Sequence, residues 1–134
     1  MHERDDLWLD VACIGADRIA RDYRFHFRFD GDSWHARHDA AHGTFGDFEL
    51  LLIDEGSAVT VRFIRCEGPA FESCGIPDAV YPRIAALLRR PLRSSRLGDL
   101  HWPLGEQGER PWKRLQAKGT ASFRPSEQRY YLQP

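Results

Sequence analysis

Residues 23 to 30 carry the clearest period in the chain: Tyr23, Phe25, Phe27 and Phe29 alternate with Arg24, His26, Arg28 and Asp30. A period of two predicts a strand with one apolar and one wet face. Asp30, Gly31 and Asp32 supply turn chemistry before Ser33 to Ala36, which predicts a hairpin. Phe45 to Ile53 is a second apolar run, Asp54, Glu55 and Gly56 a turn, and Ser57 to Arg65 a further alternating strand with Val59, Val61 and Phe63 inward. These form a second hairpin.

Beyond Gly68 and Pro69 the period lengthens. Val80, Ile84, Leu87 and Leu88 fall on one helical face that ends at Arg89 and Arg90 and is stopped by Pro91. Pro77 suits a first helical position, whereas Pro82 clashes with the carbonyl four residues back, so a short or distorted first turn is expected, with a start near Tyr81 or a bend there. Pro91 to Arg96 predicts a brief strand, and Gly98 to Gly108 a loop. Arg110 to Lys118 reads as a second helix that buries Trp112 and Leu115, with Gly119 as a left-handed cap. Thr120 to Phe123 and Arg129 to Leu132 make a last hairpin around residues 125–128. The fold class is therefore α+β, a mixed and mostly antiparallel sheet with two helices, in one domain over residues 1–134.

Composition narrows the setting. The chain has 134 residues and is 42% apolar, enough to close one hydrophobic core. No run reaches the length of a membrane span, and residues 1–6 lack the basic start of a secretory signal, so a cytoplasmic protein without a membrane partner is expected. Cys13, Cys66 and Cys74 are odd in number and lack metal-ligand spacing, which argues against a disulfide framework. Net charge is -1, but residues 1–76 hold eight basic against fifteen acidic side chains and residues 77–134 eleven against five. Such polarity can steer an anionic ligand toward the second part or dress two solvated faces of opposite sign.

Several constellations carry candidate chemistry. His35, His38 and His42 would share one face of a helix, a spacing zinc can use, but they follow a strand turn, Gly43 ends the segment, and no fourth ligand is evident; no metal is expected. Arg89, Arg90, Arg93 and Arg96 lie within eight residues and suit the phosphates of a nucleotide or an acidic protein surface. The second helix and last hairpin have the outline of a winged helix, yet no first helical layer precedes them and the chain is not basic, which disfavours nucleic acid. No serine triad, phosphate loop or paired catalytic carboxylates are recognisable; Ser94 and Ser95 can hydrogen-bond a substrate, but nothing near them in sequence supplies a base.

From residue 57 onward the order strand, glycine turn, helix, short strand, helix, strand, strand resembles the C-terminal half of the GCN5-related N-acetyltransferase family. That family's fourth strand runs into a loop of pattern Gln/Arg-x-x-Gly-x-Gly/Ala, whose N–H groups hold the pyrophosphate of acetyl-CoA at a helix N-terminus. Here the loop is Glu72-Ser73-Cys74-Gly75-Ile76-Pro77. The resemblance implies an acyl-CoA between the strand ending at Cys66 and that at Leu92 to Ser95. Ser73, Cys74, Gly75 and Ile76 would supply backbone donors, and Arg89, Arg90 and Arg93 outer phosphate contacts. For catalysis, Glu67 is the candidate relay to the attacking amine and Ser95 a candidate substrate contact. Only Gly75 agrees with the loop pattern. Glu72 and Asp78 add negative charge, Pro77 removes an N–H, and Leu115 stands where many members carry a proton-donating Tyr. These departures motivate an alternative, a non-catalytic protein-binding module of immunity, antitoxin or regulatory type that uses its split charge and exposed aromatics around Trp102 and Trp112.

Overall fold

Alternation over residues 20–38 becomes a hairpin. In the computed structural model, which describes residues 6–38, 48–68 and 70–134, β2 (Ala20–Asp30) turns at Gly31 into β3 (Ser33–His38), with Asp30 opposite Ser33. Phe25 and Phe27 are buried and Arg24 and Arg28 exposed, so the two faces divide as the period requires. Ahead of them lies β1 (Asp6–Ile14), paired antiparallel with β2 along its whole length. The second hairpin joins β4 (Phe48–Asp54) to β5 (Val59–Cys66). A register shift between Leu51 and Leu52 breaks its alternation, which corrects the expected inward position of Phe63. Ile64 now opposes Leu50, and Phe63 is half-buried and stacks on Trp102 with ring centroids 5.7 Å apart.

The first helix, α1 (Ile76–Leu88), corrects a second expectation, because it runs unbroken through Pro82. Pro82 leaves one helical hydrogen bond unmade, and burial of Ile76, Val80, Tyr81, Ile84 and Ala85 against the sheet offsets that loss. Leu87, expected on the buried face, is exposed. β6 (Leu92–Arg93) follows, then α2 (Glu106–Ala117), which begins one turn earlier than its sequence pattern suggests. Gly119, at φ +78°, closes α2 as expected: its N–H bonds to the Gln116 carbonyl and that of Thr120 to the Leu115 carbonyl, each at 2.9 Å. β7 (Ala121–Arg124) and β8 (Arg129–Leu132) complete the chain as an antiparallel pair.

The result is an α+β fold, one eight-stranded open sheet in the order β1-β2-β3-β4-β5-β6-β8-β7 with two helices. Every pairing between described strands is antiparallel except β5 with β6. One hydrophobic cluster joins the buried side chains of β1–β5 to those of α1, α2 and β8, and the rings of Tyr81, Trp112 and Tyr130 stack in series within it. Trp112 belongs to this core at 1% exposure, which corrects its placement among exposed aromatics. Among the described residues no helix is long and apolar enough to cross a membrane.

Candidate functional site

Two cavities open around the end of the parallel pair. β5 and β6 are paired through Val59 with Leu92 and Thr60 with Arg93, and there the ladder stops. Ser95 bridges the next step, its Oγ donating to the Val61 carbonyl at 2.8 Å. Beyond it lies a cavity of about 200 Å³, walled by Arg62, Phe63, Tyr81, Ser95, Leu104 and Trp112. It shares Ile64 and Gly108 with a larger cleft of about 560 Å³. The two lie side by side between the fork of the strands and the turn that opens α1, and together are termed the trough.

That turn, residues 72–75, lines the cleft and holds two left-handed residues, Ser73 at φ +56° and Gly75 at φ +77°. Packing dictates the glycine. A Cβ at Gly75 would stand 2.2 Å from the Ile14 carbonyl oxygen, where the β1–β2 turn crosses, and Ala16 N–H donates to the Ser73 carbonyl at 2.9 Å. The N–H groups of Gly75, Ile76 and Asp78 find no acceptor among the described residues, as befits a helix start that no side chain caps. Cys74 is buried and lines the cleft, whereas Ile76 is buried in the core and is not part of the cleft lining.

The opposite wall is basic. Arg110, Arg114 and Lys118 of α2 line the cleft at intervals of four, facing Glu72 and Asp78. Asp78 is already neutralised, since Arg114 Nε and Nη2 donate to its two oxygens at 2.7 and 2.8 Å. Glu72 makes no ion pair among the described residues. The four-residue recurrence of cations was readable in the sequence as one helical face, but its approach to the Gly75 turn depends on how α1 and α2 pack.

The sequence-derived candidates do not all meet here. Ser73, Cys74, Gly75 and Ile76 lie together at the turn, and Ser95 at the fork. Arg89, Arg90 and Arg93 lie at the far end of α1, roughly 20 Å from Gly75 along a thirteen-residue helix. Arg90 is held by the Asp54 carboxylate (Nη2 to Oδ2, 2.9 Å) and the Gly56 carbonyl, and Arg93 by Thr60, Tyr131 and Glu55 at 2.9–3.0 Å. Glu67, exposed just past the end of β5, is ion-paired with Arg65, its Oε1 3.3 Å from Nε without a hydrogen bond, and is five residues along the chain from Arg62, the neighbour of Ser95. Leu115 is packed in the core.

Compared with known protein families, curated proteins and solved structures, the chain matches none. The trough itself is the ground for a functional reading.

The histidine group resolves differently. His35 and His38 lie on β3, the second arm of the first hairpin, so they do not form the helical face that zinc spacing would need, and His42 lies outside the described residues. His35 Nε2 is 2.9 Å from Glu49 Oε2, and Glu49 also takes Arg65, so this is an ion-pair ladder across β3, β4 and β5. Among the described residues no cluster suits a metal ion. Cys13 and Cys66 are poor thiol nucleophiles: desolvation pushes Cys13 up to about 11 and Cys66 up to about 12.

Proposed function

We propose that the chain is an acetyltransferase-like domain that binds an acyl-CoA in this trough. The supporting observation is that two adjacent cavities, sharing Ile64 and Gly108, lie between the fork of the parallel pair and the uncapped N-terminus of α1. A long, thin, anionic ligand matches both ends. Its pyrophosphate sits at the Gly75 turn, against backbone donors, the helix dipole and the α2 cations. Its arm runs past Ile64 and Gly108, and its acyl group reaches the cavity beside Ser95 and Tyr81. With Leu115 in the core, no general acid stands at the position the resemblance assigns one, so binding is the activity proposed and turnover is slow or absent.

Calorimetric titration with acetyl-CoA tests the reading: saturable binding is expected, and none at millimolar ligand sinks it. In the same assay Glu72→Gln tightens binding about fivefold, roughly 1 kcal/mol, because it removes an unpaired negative charge beside the phosphates. Asp78→Ala combined with it adds to the effect by freeing Arg114. An unchanged affinity in the double variant takes the pyrophosphate away from this turn.

The alternative, a protein-binding module, draws on the exposed aromatics Trp8 and Trp102, 51% and 42% accessible. Trp8 is sandwiched by its neighbours on the sheet, with the His26 ring 4.3 Å from it and Arg24 Cζ 4.6 Å away, a rigid amphipathic patch of the kind interfaces use. It requires that acetyl-CoA not bind at all.

A further inference from the structure

Arg129 opens β8, opposite Arg124 of β7, and is only 7% exposed. A buried guanidinium is normally held by a carboxylate, because desolvating the charge is costly. Arg129 has no ion pair among the described residues, and its Nε is sealed from solvent with no hydrogen-bond partner. Neither terminal nitrogen shares that state, so the Nη edge, beside the Tyr131 hydroxyl, is the part of the group open to a further partner.

Its surroundings deepen the imbalance. Along β8, Tyr130 points to the helices, where it packs on Trp112, and Arg129 and Tyr131 therefore share the opposite face of the sheet. On that face Arg93 donates to the Tyr131 hydroxyl at 3.0 Å and Arg124 Cζ stands 3.7 Å from the centre of the Tyr131 ring. The segment after β6 runs beside the start of β8, with Ser94 N–H on the Tyr130 carbonyl and Leu97 N–H on the Gln128 carbonyl, both at 3.0 Å, and so brings Arg96 next to Arg129. Two carboxylates serve the group: Glu55 pairs with Arg93 at 3.0 Å, and Glu127 takes the Tyr131 hydroxyl and lies 3.5 Å from Arg124. Arg96 and Arg129 have no carboxylate of their own among the described residues, so four guanidiniums share two carboxylates and the Tyr131 hydroxyl. Burial and the charge of Arg93, with that of Arg96, push the Arg129 guanidinium below its usual value and outweigh the hydrogen bond with Tyr131 that favours its charge, so the fold carries a repulsion here that an anion would relieve.

We infer that Arg129 and Arg96 form a binding site for a phosphate monoester, on the sheet face opposite the helices and separate from the trough. The class follows from charge and shape. Four guanidiniums against two carboxylates leave an excess of two positive charges, which matches a dianion, and a planar fork flanked by a second cation suits tetrahedral oxygens that can be gripped on two sides. The inference does not depend on acyl-CoA binding, because the site contains none of the residues that line the cleft.

Inorganic phosphate is the probe, titrated into the full chain at constant ionic strength with sodium chloride as balance, and read by thermal melting and by amide NMR shifts. Phosphate at tenfold excess over its Kd should raise the melting temperature by roughly 4 °C over the chloride control, with shifts centred on residues 94–97 and 128–131. Arg96→Gln, an exposed position that leaves the core intact, should abolish the response without lowering the melting temperature in chloride. Arg129→Met should abolish it too and melt no lower than the parent without phosphate, since it deletes an unpaired buried charge; a structural arginine would instead lower it. Arg114→Gln, which alters the cleft, should leave the response whole. Equal effects of phosphate and chloride, a full response in Arg96→Gln, or loss in Arg114→Gln overturns the site. Acetate matching phosphate overturns the phosphate assignment.

Discussion

Gly75 and Gly119 hold almost the same left-handed backbone, φ +77° and +78°, and differ in what surrounds them. Around Gly119 a Cβ meets nothing within 4 Å, so Gly119→Ala measures the conformational penalty by itself, about 1 kcal/mol. At Gly75 the same methyl would overlap the Ile14 carbonyl, a backbone group fixed in the β1–β2 turn, and relief requires the two turns to separate. Gly75→Ala should therefore cost about 3 kcal/mol or more, measured as the shift in urea midpoint at constant slope. Equal losses at the two glycines would mean that the turns are not locked together. The contrast separates two meanings of a glycine that look alike in sequence. Gly119 could be read from the helix that precedes it, whereas the reason for Gly75 lies in a contact sixty residues away.

Elements were legible where one period ran uninterrupted. The β2–β3 and β4–β5 hairpins, the cap at Gly119 and the closing β7–β8 hairpin all follow from local alternation and turn residues. β1 was missed although Leu7, Leu9, Val11 and Cys13 alternate, because Trp8 and Ile14 put large apolar groups on its exposed face and blur the pattern. The bulge in β4–β5 shifted Phe63, and bulges are set by pairing, not by local sequence. At the candidate site, the Gly75 turn and Ser95 were named from the sequence, but the α2 cations and Tyr81 were not, since their approach depends on how α1 and α2 pack. Pro82 was expected to break α1 and does not, so the helix keeps a local defect for the sake of its packing. Pro82→Ala should then stabilise the fold by about 1 kcal/mol, the regained helical bond outweighing the greater freedom of the unfolded chain. A lower urea midpoint would show that the ring's own packing is worth more than that bond.

Across the whole molecule the opposite charges of the two sequence halves are drawn together by the fold: Asp54 and Glu55 of the acidic part hold Arg90 and Arg93 of the basic part at the base of the parallel pair. Stability against pH follows from which groups the fold shifts. Asp17 is held near 2 by its hydrogen bonds from Arg21 and from Ile19 N–H, and Glu127 and Asp99 are lowered as well. Such carboxylates stabilise the fold above their unfolded values near 4 and lose that contribution as pH falls toward 2. At the alkaline end the shifts point upward. Burial raises Cys13 to about 11 and Cys66 to about 12 from 9.0, and burial with the Glu109 contact raises Tyr130 to about 12 from 10.0. These groups are neutral when protonated, so above pH 9 the unfolded chain ionises while the folded one does not, and the unfolded state binds fewer protons. The raised groups therefore contribute fully below pH 9 and lose their contribution as pH climbs from 9 through 12. Urea midpoints should be level between about pH 5 and 9 and decline above 9. Cys66→Ala should make that decline shallower between pH 9 and 11, because it removes one of the two thiols that titrate there. A midpoint that stays level to pH 11 would mean that these thiols and phenols are no harder to ionise folded than unfolded, and that their burial is not tight.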